Sequence, residues 1–129
     1  MSTTSPITGV DFVAVPTHDL DVAVAFYGET LGLTRSVYNA QGGFAEFETG
    51  NLTLSIIVPH LMGLPFHANP NAIALHVDDV AATRAQLEAQ GVLFHGDILD
   101  TGVCHMGFFQ DPDGNALMLH HRYAPKSPS

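Results

Sequence analysis

The sequence is short of positive charge. Its 129 residues contain only four Lys and Arg against 13 Asp and Glu, which gives a formal net charge of −9 at pH 7. Proteins that bind nucleic acid depend on clustered cations, and so do proteins that bind an anionic membrane surface. We therefore expect neither nucleic acid nor a membrane among the partners. Blocks of like charge are also absent from the sequence, so no acidic tail is predicted.

Cysteine and long apolar runs are scarce as well. Cys104 is the single cysteine, which excludes a disulfide within the chain and is typical of the reducing cytoplasm. No apolar stretch approaches the about 20 residues of a membrane-spanning helix. The first residues, MSTTSPITG, lack the cationic start and apolar centre of a signal peptide. We expect a cytoplasmic protein, and the length of 129 residues with 46% hydrophobic residues predicts one domain with a real core.

One pattern occurs twice in the chain, 60 residues apart. The first copy, VDFVAVPTHDLDVAVAFYGETLGL, contains a short apolar strand, an Asp that can cap a helix, a helix with one apolar face and a terminal Gly. The second copy, NAIALHVDDVAATRAQLEAQGV, repeats this order. The predicted helices span about 19–31 and 79–90.

Three further strands are predicted in each copy, because stretches such as NLTLSII alternate in the manner of a strand with one buried face. The predicted strands span 10–16, 33–39, 44–48, 51–58, 72–77, 92–97, 103–110 and 115–122. The chain is thus predicted to be α+β, with two βαβββ modules at about 9–58 and 71–123. The Pro- and Gly-containing segment 59–70 is predicted to be a linking loop without helix.

The strand order predicts an open, cup-shaped surface. A strand, a crossover helix and a parallel return strand place the helix on one face of each sheet. The other faces of two such sheets would form a cup, and the alternation along each strand selects the side chains that face it. These residues are Phe12, Ala14, Thr53, Ser55, Ala72, Ala74, His76, Cys104, Met106, Phe108, Met118 and His120. A mostly apolar surface with a few polar groups is typical of a small-molecule pocket.

Two segments resemble a known family. DLDVAVAFYGETLGL contains the Phe26-Tyr27 and Leu31-Gly32-Leu33 of a first-helix signature, and DPDGNALML matches a last hairpin. On these motifs and the repeat, the chain resembles the vicinal oxygen chelate superfamily of glyoxalase I, extradiol dioxygenases, fosfomycin resistance proteins and bleomycin-binding proteins. The resemblance covers about residues 9–123 and implies paired βαβββ modules. It also implies a homodimer that completes its cups across the interface.

The resemblance further implies where a metal would bind. Metal-dependent members carry His or Gln on the first strand of a module and Glu on its last. Alignment on the motifs puts Phe12 and Ala72 at the first-strand positions. It puts Thr53, or Ser55 if the register shifts by a pair, and Met118 at the last-strand positions. None of these residues offers the imidazole or carboxylate that hard divalent cations prefer. We therefore predict no metal at these positions, which argues against glyoxalase I chemistry.

Eight histidines leave other sites open. His76 and His120 lie on the first and last strands of the second module with the same parity. They could hold a relocated divalent metal, act as general acid or base without one, or orient a ligand. A metal would need a third ligand, which Glu46 or Glu48 could supply only if their side chains also point into the cup. Cys104 is interpreted as a small wall residue rather than a nucleophile.

Two functions of different classes follow. The first is a metal-free binding protein, similar to the bleomycin-binding proteins, whose negative charge would attract a cationic ligand. Its predicted ligand-binding residues are Phe12, Thr53, Ala72, His76, Met106, Phe108, Met118 and His120. The alternative is a lyase, isomerase or dioxygenase-type enzyme, which would use a relocated divalent metal or employ His76 and His120 as acid and base.

Overall fold

The computed structural model describes residues 4–127, which form two successive modules of one strand, one helix and three strands. The first comprises β1 (Phe12–Pro16), α1 (Leu20–Ala25), β2 (Thr34–Asn39), β3 (Phe44–Glu48) and β4 (Thr53–Ile57). The second comprises β5 (Ile73–His76), α2 (Val80–Glu88), β6 (Phe94–Asp100), β7 (Cys104–Gln110) and β8 (Ala116–Arg122). The predicted α+β class and the two βαβββ units are confirmed. No helix in this part of the chain is long and apolar enough to cross a membrane.

Both helices begin after a capping aspartate, as the repeated pattern predicted. The Asp19 carboxylate accepts hydrogen bonds from the backbone N–H groups of Asp21 and Val22, and Asp79 accepts one from Ala82. Each bond satisfies a backbone donor that the first helical turn leaves free. The first helix is less regular than predicted, because α1 continues as a π-helical turn over Phe26–Thr30. The linker also differs from its prediction, since Pro59–Met62 form a short 3₁₀ turn.

The eight strands form two four-stranded sheets in the orders β1-β4-β3-β2 and β5-β8-β7-β6. The first and last strands of each module pair in parallel, and the other neighbours are antiparallel. The one clear difference from the predicted strands is β6, which reaches Asp100 instead of ending near 97. The register of its pairing with β7 shifts between His95 and Leu99. The strand therefore continues past an irregularity that the alternating pattern of a regular strand does not predict.

A single hydrophobic core joins the helix-facing sides of both modules. Its buried members include Val15, Tyr27, Phe47, Leu54, Ile56, Val80, Leu87, Phe109, Leu117 and Leu119. The opposite faces of the two sheets lie outside this core. There Phe12 is 54% exposed, and Ala14, Ala74 and His76 are exposed as well. The packing of one chain therefore leaves its two open sheet faces uncovered.

The turn DPDGN joins the two modules. Its local chemistry is that of a turn, because Asp111 accepts a bond from the backbone N–H of Asp113 and Gly114 has φ = +85°. The same side chains also reach the first module. The Tyr27 hydroxyl donates to Asp111 at 2.7 Å, and the Asn115 amide donates to the carbonyl of Pro16 at 2.8 Å. The hairpin is thus both a turn and the polar link between the modules.

Burial and the neighbouring Asp111 raise the pKa of the Tyr27 phenol far above its ordinary value. The folded state favours the neutral phenol, so this stabilisation is complete below the ordinary pKa of about 10 and is lost as the pH rises above it. Urea unfolding from pH 7 to 11 should therefore show a smaller loss of stability in Tyr27→Phe than in the wild type. Parallel profiles for the two proteins would contradict this.

Candidate functional site

The open face of the first sheet carries a fixed carboxylate. Glu48 and Glu46 alternate with the buried Ala45 and Phe47 and stand opposite Thr53 and Ser55, so they share the open face. One oxygen of Glu48 accepts a bond from the Thr53 hydroxyl at 2.6 Å. The other accepts one from the hydroxyl of Ser36, on β2. The bonds from Ser36 and Thr53 lower the pKa of the Glu48 carboxyl, so this face presents an anion at neutral pH.

The open face of the second sheet is mainly apolar. Across β5, β8 and β7 its residues stand in register in three rows: Ala74, Met118 and Phe108; His76, His120 and Met106; Arg122 and Cys104. The first two rows contain five of the eight predicted ligand-binding residues, namely His76, Met106, Phe108, Met118 and His120. Ala72 precedes β5, while Phe12 and Thr53 pair on the first sheet. The first sheet therefore offers carboxylates, hydroxyls and the Phe12 ring, and the second offers thioethers, the Phe108 ring, imidazoles and the Arg122 guanidinium.

The strand register identifies the counterpart of Met118 in the first module. Met118 stands opposite Ala74, and Ser55 stands opposite Ala14, which lies 60 residues before Ala74. Ser55, the alternative to Thr53, is thus the structural equivalent of Met118. It is only 5% exposed, so its hydroxyl presents little surface.

The residues at the positions that the resemblance assigns to a metal do not fit a hard divalent cation. Phe12, Ala72 and Met118 have no oxygen or nitrogen in their side chains, and Ser55 or Thr53 offers a hydroxyl. Such cations prefer carboxylate or imidazole donors. Across residues 4–127, moreover, no three or more His, Cys, Asp and Glu side chains are grouped so as to hold a metal.

His76 and His120 are neighbours in register, but the contacts of His76 lie elsewhere. Its ring centroid is 5.9 Å from that of His121, and its Nε2 is 3.5 Å from an oxygen of Asp78. The His121 ring nitrogen Nδ1 lies 3.1 Å from the carbonyl oxygen of Val77. Because β5 is an edge strand, the 71% exposed His76 side chain can reach these groups around the edge of the sheet. In this conformation His76 does not form a chelating pair with His120.

A cation next to Cys104 was missed from the sequence. Arg122 stands opposite Cys104 in the β7–β8 hairpin, and its Nη1 lies 3.8 Å from the Cys104 sulfur. The two residues are equally distant in sequence from Asp113, so pairing the strands about the DPDG turn could have predicted the contact. The thiol is buried, which agrees with its interpretation as a wall residue.

Several solved structures share this fold over nearly the whole chain. A glyoxalase family protein from Bacillus anthracis is 25% identical, with a TM-score of 0.79 over 93% of this chain and 99% of that one. TnmS3, an antibiotic-binding protein from Streptomyces sp. CB03234, is 26% identical, with a TM-score of 0.77 over 92% and 99%. A lactoylglutathione lyase from Agrobacterium tumefaciens is 23% identical, with a TM-score of 0.73 over 90% and 95%, and shares the fold alone.

No curated protein matches the chain. The family model of the Glyoxalase/Bleomycin resistance protein/Dioxygenase superfamily matches residues 9–119, a span that includes both helices, both sheets except the end of β8, and the DPDGN turn. The chain therefore belongs to the Glyoxalase/Bleomycin resistance protein/Dioxygenase superfamily.

Proposed function

We propose that the protein binds a small, partly apolar organic molecule in its cup without the metal typical of many members of its superfamily. The observation that carries this proposal is the chemistry of the positions where metal-dependent members carry their metal ligands. This chain has Phe12, Ala72 and Met118 there, and these apolar side chains take the place of His, Gln or Glu. A divalent ion there would lose water without gaining an imidazole or a carboxylate in return. Met118, with Phe108 beside it in register, instead offers an adaptable apolar surface.

A second copy of the chain is proposed to complete the cup. The helix-facing sides of both modules are already used in one shared core, and the open faces remain exposed. Apolar side chains on an uncovered face, such as Phe12, are typical of a surface that another molecule covers. In a homodimer, the first sheet of one chain would face the second sheet of its partner.

The two open faces suggest the chemistry of the ligand. Glu48 and Glu46 would attract a cationic or hydrogen-bond-donating group, and Phe108 and Met118 would contact an apolar body. The net charge of −9 would also favour the approach of a cation. The likeness to TnmS3, an antibiotic-binding protein, supports a binding role of this class. We therefore favour an amphiphilic organic cation over an anion.

The proposal is tested by thermal shift with a set of small organic cations and uncharged aromatic compounds. Each compound is measured with EDTA and with added Mn²⁺, Zn²⁺ or Ni²⁺. We expect some organic cations to raise the Tm equally under all these conditions. Glu48→Gln, which keeps the shape and removes the charge, should reduce the shift for cations and not for uncharged compounds. Stabilisation that appears only with an added metal would overturn the metal-free proposal.

The alternative is a lyase, isomerase or dioxygenase-type enzyme that uses His76 and His120. The register of these two residues is the observation in its favour, since their Cα atoms stand opposite each other on β5 and β8. A rotation of the His76 side chain away from Asp78 would be needed for both imidazoles to meet one substrate or metal. Turnover of a superfamily substrate that is lost in both His76→Ala and His120→Ala would favour this alternative.

Restoring a single carboxylate should not create a metal site. We expect Met118→Glu to bind Mn²⁺, Ni²⁺ or Zn²⁺ no more tightly than Met118→Gln, because Phe12, Ala72 and Ser55 would still supply no strong ligand. Isothermal titration calorimetry of the two variants measures this directly. Binding of one metal per chain to Met118→Glu alone would show that the site already contains other ligands.

A further inference from the structure

A cavity of about 560 Å³ lies between the two modules, mainly on the helix-facing side of the sheets. Its walls are mostly aliphatic and include Leu31, Leu52, Leu54, Ile73, Leu87 and Leu119. Leu54 and Leu119 are core residues, and along their strands they alternate with the open-face residues Ser55 and Met118. Most of the cavity therefore lies on the opposite side of the sheets from the cup, and its lining reaches the open face only at Ala74 and His76 of the edge strand β5.

The internal repeat shows what fills the equivalent place in the other half of the molecule. The helices α1 and α2 begin 60 residues apart, at Leu20 and Val80, so Leu87 in the second module corresponds to Tyr27 in the first. The Tyr27 ring packs in the core beneath the β7–β8 turn and donates its hydroxyl hydrogen to Asp111 of that turn. Leu87 lines the cavity beneath the corresponding β3–β4 turn, residues 49–52.

Two differences between the modules leave the space beneath the β3–β4 turn unfilled. The phenol ring of Tyr27 is replaced by the shorter side chain of Leu87. The turn is also shorter, because four residues separate β3 from β4 where five separate β7 from β8. The space beneath the β7–β8 turn is thus filled by the Tyr27 side chain. The equivalent space beneath the β3–β4 turn is a cavity within the usual size range of small-molecule sites.

We propose that this cavity is a second ligand site, which binds a small, uncharged aromatic molecule with one hydrogen-bonding group. The Tyr27 phenol is the internal guide to that chemistry, because it occupies the equivalent position. The described residues that line the cavity include no Asp, Glu, Lys or Arg, and their one titratable side chain is His76 on the exposed edge strand β5, so a charged ligand would lose its hydration with little compensation. Asn51 in the turn and Thr83 on α2 supply polar groups to orient the ligand.

The test uses phenol as the probe and the full-length protein labelled in its methyl groups for NMR. We expect saturable shift changes at the methyl groups of Leu87, Leu54, Ile73 and Leu119, and none at Met106 and Met118 of the cup. Benzoate, which has the same ring with a negative charge, should leave the cavity methyl groups unchanged. Phenol shifts confined to Met106 and Met118, or no saturable shifts at all, would overturn the proposal.

Filling the cavity provides the matched test. Leu87→Tyr places the side chain of Tyr27 at the equivalent position and should both raise the Tm and abolish the phenol shifts. Thr83→Leu fills the cavity from another wall and should also abolish them, so the test does not depend on one variant folding. Leu93→Tyr is the control, because Leu93 is 82% exposed and does not line the cavity. Folded Leu87→Tyr and Thr83→Leu proteins with wild-type phenol shifts would contradict the assignment.

Discussion

Replacing Asp111 with alanine is expected to lower the free energy of unfolding by about 3 to 5 kcal/mol, because it removes the acceptor of several buried hydrogen bonds at once. One carboxylate oxygen accepts from the Tyr27 hydroxyl and the Asn115 side-chain amide, at 2.7 and 2.8 Å. The other accepts from the backbone N–H groups of Asp113 and Asn115, at 3.0 and 2.9 Å. Without Asp111, the buried donors of Tyr27 and Asn115 lose a partner in the region that joins the modules.

Urea unfolding of matched variants checks this expectation. Tyr27→Phe removes one donor and leaves the acceptor with its other partners, so it should cost about 1 kcal/mol. Asp97→Ala, the same substitution at an exposed position of β6, should change stability by less than about 0.5 kcal/mol. A loss of less than about 1 kcal/mol in Asp111→Ala would mean that the DPDGN turn acts only locally.

The second large effect concerns assembly. We expect the wild-type protein to sediment as a dimer, with twice the mass of the 13.8 kDa chain, at micromolar concentration. Phe12→Asp should weaken this dimer by roughly 30-fold or more, the effect of losing an interface hot spot. The substitution puts a charge on the exposed apolar face, next to Thr53 and the Glu48 carboxylate to which Thr53 donates.

Sedimentation velocity of the wild type and two variants separates a specific interface from a general loss of solubility. Leu93→Asp adds the same charge at an exposed leucine outside the open faces and should leave the dimer intact. A wild-type protein that remains monomeric at micromolar concentration would overturn the dimeric cup. A dimer that tolerates Phe12→Asp as well as Leu93→Asp would place the interface elsewhere.

Local signals in the sequence were sufficient for the fold. Asp19 and Asp79 cap their helices because a carboxylate before an apolar periodic segment has a local partner in the first turn. The strand alternation also separates the buried face from the open face, since one buried face fixes the register of a whole strand. For Glu46 and Glu48 the sequence left the orientation open, and the structure places both on the open face. The irregular parts were not predicted, because neither the π turn at Phe26–Thr30 nor the register shift in β6 has a local signature in the sequence.

Contacts between distant residues were harder to predict. The local chemistry of Asp111 and Asp113 in the DPDG sequence favours a turn. Their bonds to Tyr27 and Thr17 depend on how the modules pack, which periodicity does not describe. The orientation of His76 is a similar case. Strand parity predicts the face of the sheet towards which a side chain leaves the backbone. His76 lies on the edge strand β5, however, so its imidazole can turn around the edge towards Asp78 and His121.

The most direct test of a metal-free, ligand-binding cup is native mass spectrometry of protein purified without an affinity tag, with a compound that raises its Tm. We expect a dimer that carries the organic ligand and no bound zinc, nickel, manganese or iron. A complex with about one such metal per chain, lost in His76→Ala or His120→Ala, would contradict the metal-free cup and favour the enzyme with a relocated metal.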